Sequence, residues 1–378
     1  MNEIGSHKKR IRPQKSTNVS IKAINSTSKV NDLLWNFGSW LTEEDQFSDI
    51  VISSRIRLAR NIKGYPFPNQ ASNSELNIVL KKVKNACEKC HSLRKANFVE
   101  IEKLSEWDCK YFVERRLASP QFIESKAASL LVIGPQESLS IMVNEEDHLR
   151  MQCIEGGLKI NQAWKKIRSV DDELEENLNF SYSRKFGYLT ACPTNLGTGL
   201  RVSIFVHLPA LSMQGKINSV METLPTSEIA VRGFYGEGTE SIGNIFQISN
   251  QLTLGRTEES VVQRITATAK KLIEIERKAR YELLEKDSIK LEDSVFRALG
   301  ILKNARIISS LESMDLLSTL RLGRELEFIK NFSRLAINQL MVLVQPAHLR
   351  KIYDEDLSAQ ERDIIRAEFI RENLSNLE

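Results

Sequence analysis

The sequence Leu139-Ser-Ile-Met-Val-Asn-Glu-Glu-Asp-His-Leu-Arg150 leads from an alternating apolar run straight into three consecutive carboxylates. Leu139, Ile141 and Val143 fall on one side of a β-strand, because successive side chains of a strand point to opposite faces. The three acids therefore emerge where this strand ends. Adjacent carboxylates repel one another unless a cation or a positively charged ligand lies among them. Taken alone, the string also fits a solvated polar turn, so the rest of the chain has to decide.

The chain before this stretch supplies a pairing partner and two arginines. Residues 130–133 form a short apolar run followed by a Gly-Pro turn, which predicts a hairpin with the strand at 139–143. Further upstream, residues 49–60 predict a strand on which Arg55 and Arg57 share one face. Two guanidinium groups on one face repel each other unless an anion lies between them, and phosphate oxygens match the fork of arginine. A solvated edge strand is the alternative.

A third strand follows a loop that contains a cysteine. The apolar positions of this strand, beginning at Val202, pack inward, while the positions beginning at Arg201 face the other side. His207, at the end of the strand, is interpreted as a structural histidine. Cys192 precedes a Pro-Thr-Asn-Leu-Gly loop whose glycine lets the backbone approach a ligand closely. Such a cysteine is more often a small core residue than a reactive group.

The next segment is rich in glycine. Residues 231–240 hold Arg232 and Glu237 among three glycines, which is typical of loops that close over substrates but is weak support for phosphate binding. A strand near 245–248 and a long helix over residues 258–285 follow, with Thr257 as the expected N-cap.

Composition restricts the class of protein. With 41% hydrophobic and 27% charged residues among 378, the chain is typical of a soluble globular protein large enough for two domains. The net charge of +4 is too small to indicate nucleic-acid binding. The sequence contains no apolar run of about 18 residues, so we expect no membrane span. Because the N-terminus lacks an apolar signal region, we expect a cytoplasmic protein.

Five cysteines without a signal peptide indicate reduced thiols. Cys87-Glu-Lys-Cys-His91 matches the string of covalent haem attachment, but the segment has the periodicity of an ordinary amphipathic helix. A zinc site would need a second pair of ligands at suitable spacing, and we find none. We therefore expect neither haem nor zinc here.

The chain divides into three predicted parts. Residues 1–30 carry seven Lys and Arg against one Glu, which predicts a disordered basic tail. Residues 31–285 form the predicted catalytic domain. Residues 286–378 are helical in pattern throughout, and Ser358-x-x-Glu361 predicts a capping box at the last helix. In that helix Arg362 and Arg366 share a face, for which a surface salt-bridge ladder is the simpler interpretation.

The chain has neither a Walker loop nor the protein-kinase signature set. Five other strings, taken together, indicate a family. They are Ser53-Ser-Arg-Ile-Arg57, Asn144-Glu-Glu-Asp-His-Leu-Arg150, Cys192-Pro-Thr-Asn-Leu-Gly197, Arg232-Gly-Phe-Tyr-Gly-Glu237 and Ile248-Ser-Asn250. In this order they resemble the phosphagen (guanidino) kinase family. The resemblance implies an α+β fold: an antiparallel sheet flanked by helices, as in the glutamine-synthetase/guanidino-kinase catalytic fold, with a C-terminal helical domain added here.

The C-terminal string Arg362-Asp-Ile-Ile-Arg-Ala367 resembles the motif of bacterial protein-arginine kinases of the McsB type. By this resemblance Arg362, Asp363 and Arg366 form a phosphoarginine receptor, with two cations for the phosphoryl group and an acid for the guanidinium. Only about fifty residues precede Ser53, fewer than the N-terminal domain of small-molecule phosphagen kinases. An open site of this kind suits an arginine presented on a polypeptide.

The resemblance also implies roles for the site residues. A guanidinium has a pKa above about 12, so its nitrogen is a poor nucleophile until it is oriented and loses a proton. Glu146 and Glu237 would hold two of its nitrogens, with Glu146 as the base, and Cys192 would contact the same group as a thiolate. Mg²⁺ would bridge phosphate oxygens, with Glu145 contacting it through water.

The ATP contacts implied by the resemblance lie in three strings and at two single positions. They are Ser53, Ser54, Arg55, Ile56, Arg57, Arg116, Arg150, Arg201, Val202, Ser203, Ile204, Phe205, Arg232, Gly233, Gly236 and Glu237. Arginines among them would neutralise the phosphates and the charge that develops in the transition state. At Arg116 the related proteins generally have His near the adenine; arginine can also stack on a base.

The resulting hypothesis is an ATP-dependent protein-arginine kinase that marks proteins for Clp-type proteolysis and takes part in stress regulation. Expected partners are protein substrates, a zinc-containing activator protein, a Clp-type unfoldase or protease, and further copies of the chain in a dimer or larger assembly. A catalytically silent phosphoarginine-binding adaptor and a kinase for free arginine are the alternatives.

Overall fold

An antiparallel sheet of eight strands positions the arginines and acids singled out above. The computed structural model describes residues 37–124, 128–225, 227–233, 241–354 and 356–375. The strands are β1 (Val51–Arg60), β2 (Asn97–Glu100), β3 (Leu130–Ile133), β4 (Leu139–Val143), β5 (Leu149–Gly156), β6 (Tyr182–Ser183), β7 (Gly187–Tyr188), β8 (Leu200–His207), β9 (Ile229–Gly233) and β10 (Ile245–Asn250). The large sheet has the order β2-β3-β4-β5-β1-β8-β10-β9, and β6 and β7 form a separate hairpin.

Helices cover both faces of this sheet. They are α1 (Asn73–Lys89), α2 (Glu106–Glu114), α3 (Pro120–Glu124), α4 (Ile160–Glu175), α5 (Pro209–Met213), α6 (Ile217–Glu222), α7 (Glu258–Asn304), α8 (Ser310–Glu325), α9 (Arg334–Leu343), α10 (Pro346–Tyr353) and α11 (Ala359–Ser375). The predicted α+β class, with an antiparallel sheet, flanking helices and a C-terminal helical region, is confirmed.

Strand alternation sorts the sheet into an apolar face and a polar face. Ile56, Leu58 and Val202 lie in the main hydrophobic core, together with buried residues of α1, α4 and α7. Their sequence neighbours Arg55 and Arg57 point to the opposite face, as the pattern predicted. Because the apolar face is fully buried, a slip of one residue in register would move the arginines into the core, so the register is strongly specified.

Helix boundaries follow local signals, with two departures from the sequence prediction. The Thr257 side chain accepts from the Ser260 backbone N–H at the start of α7, and Ser358 and Glu361 form the predicted reciprocal cap at α11. The sequence pattern of residues 72–118 predicts two helices, and the structure has α1 and α2 there with the strand β2 between them. The helix predicted to end near residue 285 continues to Asn304, interrupted only at Asp287, where the backbone is non-helical. The predicted domain boundary at 285/286 falls next to this interruption and stays a prediction.

The C-terminal helices pack against one end of the polar face. Ile154 of β5, Phe205 of β8 and Ile245 of β10 share a second hydrophobic core with residues of α7 to α11. Burial of this apolar area is the main force that holds the helices to the sheet.

A buried arginine connects the C-terminal helices to the sheet. Arg321 of α8 donates to the carbonyl oxygens of Ser48 and Asp49 at 2.7 and 3.0 Å, and it contacts Nδ1 of His207 at 2.7 Å. Burial lowers the pKa of Arg321 to about 9. His207 is itself fully buried and reaches the Ser318 hydroxyl with Nε2 at 2.8 Å, which agrees with its interpretation as a structural histidine.

Across the described ranges, none of the helices combines the length and apolarity needed to cross a membrane.

The contact between α7 and α8 gives a test of close packing. A Cβ added at Gly323 would lie 2.2 Å from Cγ1 of Val295, whose β-branched side chain cannot rotate away within a helix. Gly323→Ala should therefore lower the thermal midpoint, with a cost of about 1–3 kcal/mol. Gly300→Ala in α7 is the matched control, because among the described residues no atom beyond its chain neighbours and the local backbone of the helix lies within 4 Å of the added carbon. That substitution should leave the midpoint unchanged or raise it through about 0.5–1 kcal/mol of helix propensity. Equal effects of the two substitutions would contradict the packing.

Candidate functional site

Cross-strand pairing places the arginines of four strands on one surface. Arg57 pairs with Gln152 of β5 on one side and with Arg201 of β8 on the other. In the next row, Arg55 lies between Ile154 and Ser203. A third row continues along the sheet through Ser53, Phe205, Gln247 and Arg232. We call Arg55, Arg57, Arg150, Arg201 and Arg232 the arginine face.

The arginine face is short of negative charge. Burial lowers the pKa of Arg55 to about 9 and that of Arg201 to about 10, and neighbouring arginines contribute to both shifts. Burial and the charges of Arg55, Arg150 and Arg201 hold the pKa of Arg57 well below its usual value. Within the described part of the chain, the Nε atoms of Arg57 and Arg201 are buried without a hydrogen-bond partner. Buried donors of this kind carry an energetic cost that an anion would remove, so the surface fits a polyphosphate.

The Phe205 ring lies beside the arginine face, and two guanidinium groups lie over it. The Arg116 guanidinium lies 3.9 Å from the centroid of the Phe205 ring, and that of Arg55 lies 5.1 Å away. Arg116 adopts a left-handed backbone conformation with φ of 61°, and its carbonyl accepts from Gln152 at 2.6 Å. Trp40 lies 5.6 Å from the same guanidinium. The Phe205 and Trp40 rings are buried, so they hold the half-buried Arg116 guanidinium in place, and that guanidinium is the planar group suited to stack on a nucleobase.

The three adjacent acids have three different environments. Arg150 donates to both oxygens of Glu145 at 2.6 and 2.5 Å, and the Ser119 hydroxyl donates to the same carboxylate. Asp147 is buried and accepts from Nδ2 of Asn61 at 2.6 Å and from the Ala191 backbone at 2.7 Å.

Glu146 differs from its two neighbours because it is only partly buried. Its contact is a long one, from Nδ2 of Asn195 at 3.4 Å. It lines a cavity of about 300 Å³ together with Glu145 and Ala191. A carboxylate that faces a cavity and has little internal hydrogen bonding is suited to accept hydrogen bonds from a guanidinium.

The acidic turn holds the cysteine loop at two points. Asp147 binds the backbone of Ala191, and Asn195 reaches Glu146, so Cys192 lies between the two attachments. Its thiol is 3.0 Å from the Thr194 hydroxyl and is half-buried. Cys192 is also close enough to Arg201 to raise the pKa of that guanidinium against the lowering effects of burial and the other arginines. The structure therefore brings Glu146, Cys192 and the arginine face together.

The neighbouring residue His148 has a structural role, because both of its ring nitrogens contact the backbone. Nδ1 of His148 accepts from the Ile62 backbone at 3.0 Å, and Nε2 lies 2.9 Å from the Pro66 carbonyl oxygen. This pair of contacts defines the neutral tautomer with the proton on Nε2. Burial lowers the pKa of His148 below its usual value, which agrees with a neutral ring.

The predicted nucleotide contacts divide according to the face on which they lie. The side chains of Ile56, Val202 and Ile204 are buried in the hydrophobic core on the opposite side of the sheet. Ser54 also faces that side, where its hydroxyl donates to the Gly157 carbonyl at 2.8 Å. These four residues therefore have no side chain on the arginine face, since strand neighbours point in opposite directions, and their predicted contact with ATP stays a prediction that falls to their backbone atoms.

The remaining predicted contacts are placed as follows. Ser53 and Ser203 lie in the rows of the arginine face, and the Ser53 hydroxyl is buried with no hydrogen-bond partner among the residues that the structure describes. Arg232 and Gly233 end β9 at the edge of the sheet. Gly236 and Glu237 lie outside the described residues, so the second guanidinium-binding acid stays a prediction.

Sequence reasoning missed the residues that hold the site together. Asn61, Asn195 and Thr253 contact the acidic turn or the cysteine loop from distant parts of the chain. In the sequence Asp147 is only one of three adjacent acids, and nothing there indicates its bracing role. Asn195 could have been suspected from its place in the Cys192 string, but Asn61 and Thr253 carry no local signal.

The C-terminal motif lies apart from this site, on α11. Arg366 is 1% exposed and donates to the carbonyl oxygens of Val344 and Ile308 at 2.8 and 2.9 Å, and to Asp363 at 2.5 Å. Arg362 is less buried and lies 5.4 Å from the Trp107 ring of α2. Arg362 is therefore the more accessible cation of the motif, and the predicted phosphoarginine receptor stays a prediction.

The described residues offer few protein ligands for a metal ion. No group of three or more His, Cys, Asp or Glu side chains suited to a cation occurs within the ranges that the structure describes. Glu145, predicted to contact Mg²⁺ through water, is bound to Arg150 and Ser119. This donor set fits a Mg²⁺ ion that keeps its waters and is held chiefly by phosphate oxygens.

Two protein families match separate parts of the chain. Residues 78–279 match the ATP:guanido phosphotransferase C-terminal catalytic domain, and residues 288–378 match the protein-arginine kinase McsB C-terminal domain. The first match contains the sheet from β2 onward with the acidic turn and the cysteine loop, and the second contains the C-terminal helices with the motif of α11.

Curated relatives named protein-arginine kinase are similar to this chain along almost their whole length. The protein of Clostridium acetobutylicum is 42% identical over 338 residues, which is 89% of this chain and 99% of that protein. The protein of Halothermothrix orenii is 42% identical, covering 90% of this chain and 97% of its own. The protein of a Geobacillus species is 43% identical, covering 89% and 93%.

Solved structures share the catalytic fold. A duplicated taurocyamine kinase from Schistosoma mansoni matches 63% of this chain and 35% of its own, with a TM-score of 0.57 and 25% identity. A lombricine kinase matches 63% of this chain and 70% of its own, with a TM-score of 0.54 and 23% identity. The arginine face, the acidic turn, the length of the matches and the two family matches agree: the chain is an enzyme of the ATP:guanido phosphotransferase family and belongs to its protein-arginine kinases.

Proposed function

We propose that this enzyme transfers the γ-phosphoryl group of ATP to arginine side chains of proteins in the cytoplasm, and that the marked proteins are passed to a Clp-type protease during stress. The observation that carries the phosphotransfer step is the arginine face, with its buried donors and like charges, next to the outward-facing Glu146. An anion and a guanidinium would meet where these two surfaces adjoin. The relatives named protein-arginine kinase support a protein-borne arginine as the acceptor.

The proposed roles follow from charge and geometry. The arginine face binds the phosphates and stabilises the charge that spreads over the transferred group. Arg116, which lies over the buried Phe205 ring, stacks on the base. The nitrogen of the acceptor forms a bond to phosphorus while the bond to the ADP oxygen breaks, and Glu146 accepts the proton that the nitrogen loses. A bound Mg²⁺ ion would add charge neutralisation on the phosphates, and Glu145 would contact it through water.

Cys192 and Glu237 complete the proposed acceptor site. Cys192 lies on the loop braced by Asp147, so its thiol is held in a fixed position relative to Glu146. Its sulfur would contact the same guanidinium, and Glu237 would hold a second nitrogen of that group. Together Glu146 and Glu237 would orient the planar acceptor so that its third nitrogen points along the line of attack.

The C-terminal helices have a proposed receptor role. Arg362, Asp363 and Arg366 would bind phosphoarginine on proteins that have already been marked, or on another copy of the chain. The accessible Arg362 would make the first contact with the phosphoryl group. A zinc-containing activator protein and a Clp-type unfoldase are the proposed partners of the assembly.

Removing the proposed base should stop the reaction while leaving the fold intact. We expect Glu146→Gln to lower the rate of arginine phosphorylation on a denatured protein substrate by roughly 100- to 10,000-fold, because an amide cannot accept the proton. The measurement is acid-labile phosphate, detected by mass spectrometry at neutral pH. Glu102→Gln, an exposed acid outside the site, should have wild-type activity. Phosphate found only on Ser, Thr or Tyr, or turnover of free L-arginine alone, would refute the proposed function.

Removing one buried cation should separate stability from activity. Arg201→Met relieves burial of a charge beside other arginines, so its thermal midpoint without nucleotide should equal or exceed that of the wild type. Phosphorylation should fall by about 100-fold or more, as when an electrostatic donor is lost from an active site. ATP should stabilise the wild type by about 2.7 kcal/mol at 100 times its Kd, and stabilise the variant much less. Thermal melting with and without ATP measures both effects, and a variant that ATP stabilises fully would contradict the role of the arginine face.

A further inference from the structure

A third arginine of β1, Arg60, lies away from the arginine face. Because side chains alternate along a strand, Arg60 shares the side of Ile56 and Leu58, which is the core side of the sheet. It pairs with Leu149 of β5 at the end of the strand and is 1% exposed. A buried guanidinium is costly unless its donors are satisfied, so its partners indicate its role.

Two carboxylates fix the orientation of the Arg60 guanidinium. Nε and Nη2 donate to the two oxygens of Asp171 in α4, at 3.0 and 2.6 Å. A second acid, Glu258 at the start of α7, lies 3.7 Å from Nη2. A bidentate pair of this kind holds the plane of the guanidinium as well as its charge. The rest of the guanidinium is therefore presented in a defined direction.

That direction leads to the two ends of the cysteine loop, residues 189–199, which joins β7 to β8. Nη1 of Arg60 donates to the Thr198 carbonyl oxygen at 3.0 Å, near the end of the loop. The guanidinium also lies 3.5 Å from the centroid of the Tyr188 ring, directly before the loop. Arginine stacks on aromatic faces in this way, and the attraction is strongest where water is excluded. One side chain thus contacts the chain on both sides of Cys192.

The backbone is packed tightly around Arg60. Gly199 has a φ of 63°, and a Cβ there would lie 2.8 Å from Nη1 of Arg60 and 2.6 Å from the Ala59 carbonyl oxygen. The Ala59 N–H donates to the Gly199 carbonyl oxygen at 3.0 Å. Tyr188 and Gly197 exchange backbone hydrogen bonds of 2.7 and 3.3 Å, which close the base of the loop. The ends of the loop have little freedom while the guanidinium is in place.

The next residue of the chain, Asn61, fixes the acidic turn to the same point. Its Nδ2 donates to Asp147 at 2.6 Å and to the Leu189 carbonyl oxygen at 3.0 Å, and its Oδ1 accepts from the His148 backbone at 2.9 Å. The end of β1 therefore sets the position of the cysteine loop relative to Glu146. The same strand carries Arg55 and Arg57, so it positions both the phosphate-binding and the acceptor-binding groups.

We propose that Arg60 is a positioning residue of the phosphotransfer reaction. It touches neither substrate, and it acts through Tyr188 and Thr198 by holding the ends of the cysteine loop, so that Cys192 meets the acceptor guanidinium beside Glu146. A lysine could keep the charge next to Asp171, but a point charge cannot make the bidentate pair, the carbonyl contact and the ring contact at once. The inference rests on the proposed function, because that function assigns the cysteine loop to the acceptor site.

The first test is Arg60→Lys. We expect kcat on a denatured protein substrate to fall by about 10- to 100-fold, since a displacement of about 1 Å in an active site can cost a factor of about 100. The KM for ATP, and the rise in thermal midpoint that ATP causes, should equal those of the wild type, because Arg60 lies on the other side of the sheet from the arginine face.

A pair of substitutions at Tyr188 tests the same contact without removing the buried charge, and it keeps the inference testable if Arg60→Lys does not fold. Tyr188→Leu removes the ring over which the guanidinium lies, so kcat should fall in the same direction as in Arg60→Lys. Tyr188→Phe keeps the ring and should restore kcat to the wild-type level.

The position of the loop can be measured without turnover, through alkylation of Cys192 by iodoacetamide. The other four cysteines are buried and Cys192 is half-buried, so peptide mapping follows a thiol that the reagent can reach. Release of the loop in Arg60→Lys and Tyr188→Leu should speed alkylation by about tenfold, as local opening exposes the thiol. Tyr188→Phe should keep the wild-type rate.

The matched control is Arg334→Lys in the C-terminal helices. Arg334 also makes a bidentate pair, with Glu325 at 2.6 and 2.8 Å, so its replacement removes a comparable interaction far from the cysteine loop in the chain. It should lower the thermal midpoint and leave kcat and the alkylation rate of Cys192 unchanged, which separates loss of stability from loss of position.

Four results would overturn the inference. They are a wild-type kcat in folded Arg60→Lys, an unchanged alkylation rate in that variant, equal losses in Tyr188→Phe and Tyr188→Leu, and a loss of stabilisation by ATP that accounts for the fall in kcat. None of these affects the proposed function. That function fails on a different result, the absence of arginine phosphorylation by the wild type, whereas the alkylation rates test the loop contact in either case.

Discussion

The burial of like charges on the arginine face is the constraint on which the rest of the structure depends. Arg55, Arg57 and Arg201 lie on two adjacent central strands, and the charges of Arg55 and Arg201 both lower the pKa of Arg57. An isolated strand could not hold them together, because mutual repulsion and lost hydration would separate them. The core on the opposite face compensates: it fixes the register of β1 and β8 by burying Ile56 and Val202. The resulting surface raises the free energy of the folded protein, and a bound anion would lower it.

The three neighbouring acids have different roles, and this is a second consequence of the fold. Glu145 neutralises Arg150, and Asp147 braces the cysteine loop. Burial raises the pKa of Asp147, while its donors Ala191 and Asn61 act in the opposite direction. Of the three acids, Glu146 is the one that has only a long hydrogen bond and faces a cavity. Of the three carboxylates, Glu146 is therefore the one available for chemistry, and Glu145 and Asp147 have structural roles. The run can be accommodated at a strand end because two of its three carboxylates are paired with donors.

The helix α2 connects the C-terminal helices to the catalytic part. The carboxylate of Glu114, at the end of α2, accepts from the backbone of Ala347 and His348 at 2.8 and 3.0 Å and so caps the start of α10. Two residues on, Arg116 reaches the ring of Phe205. At the other end of α2, Trp107 lies beneath the guanidinium of Arg362. A single short helix thus contacts both the predicted phosphoarginine motif and the proposed base-stacking site.

The sequence by itself determined the family, the α+β class, the alternation that puts Arg55 and Arg57 on one face, and the caps at Thr257 and Ser358. All of these rest on neighbours within a few residues or on short strings, so no long-range contact is needed to read them. Only the tertiary structure decided which acid faces outward, because the donors to Asp147 come from Asn61 and Ala191, far away in the chain. It also showed that the side chains of Ile56, Val202 and Ile204 lie in the core although the resemblance implied that these residues contact ATP, and that Arg366 donates to two buried carbonyl oxygens. A motif specifies residue types in order, whereas the direction of a side chain and its partners depend on strands and helices brought together from distant parts of the chain.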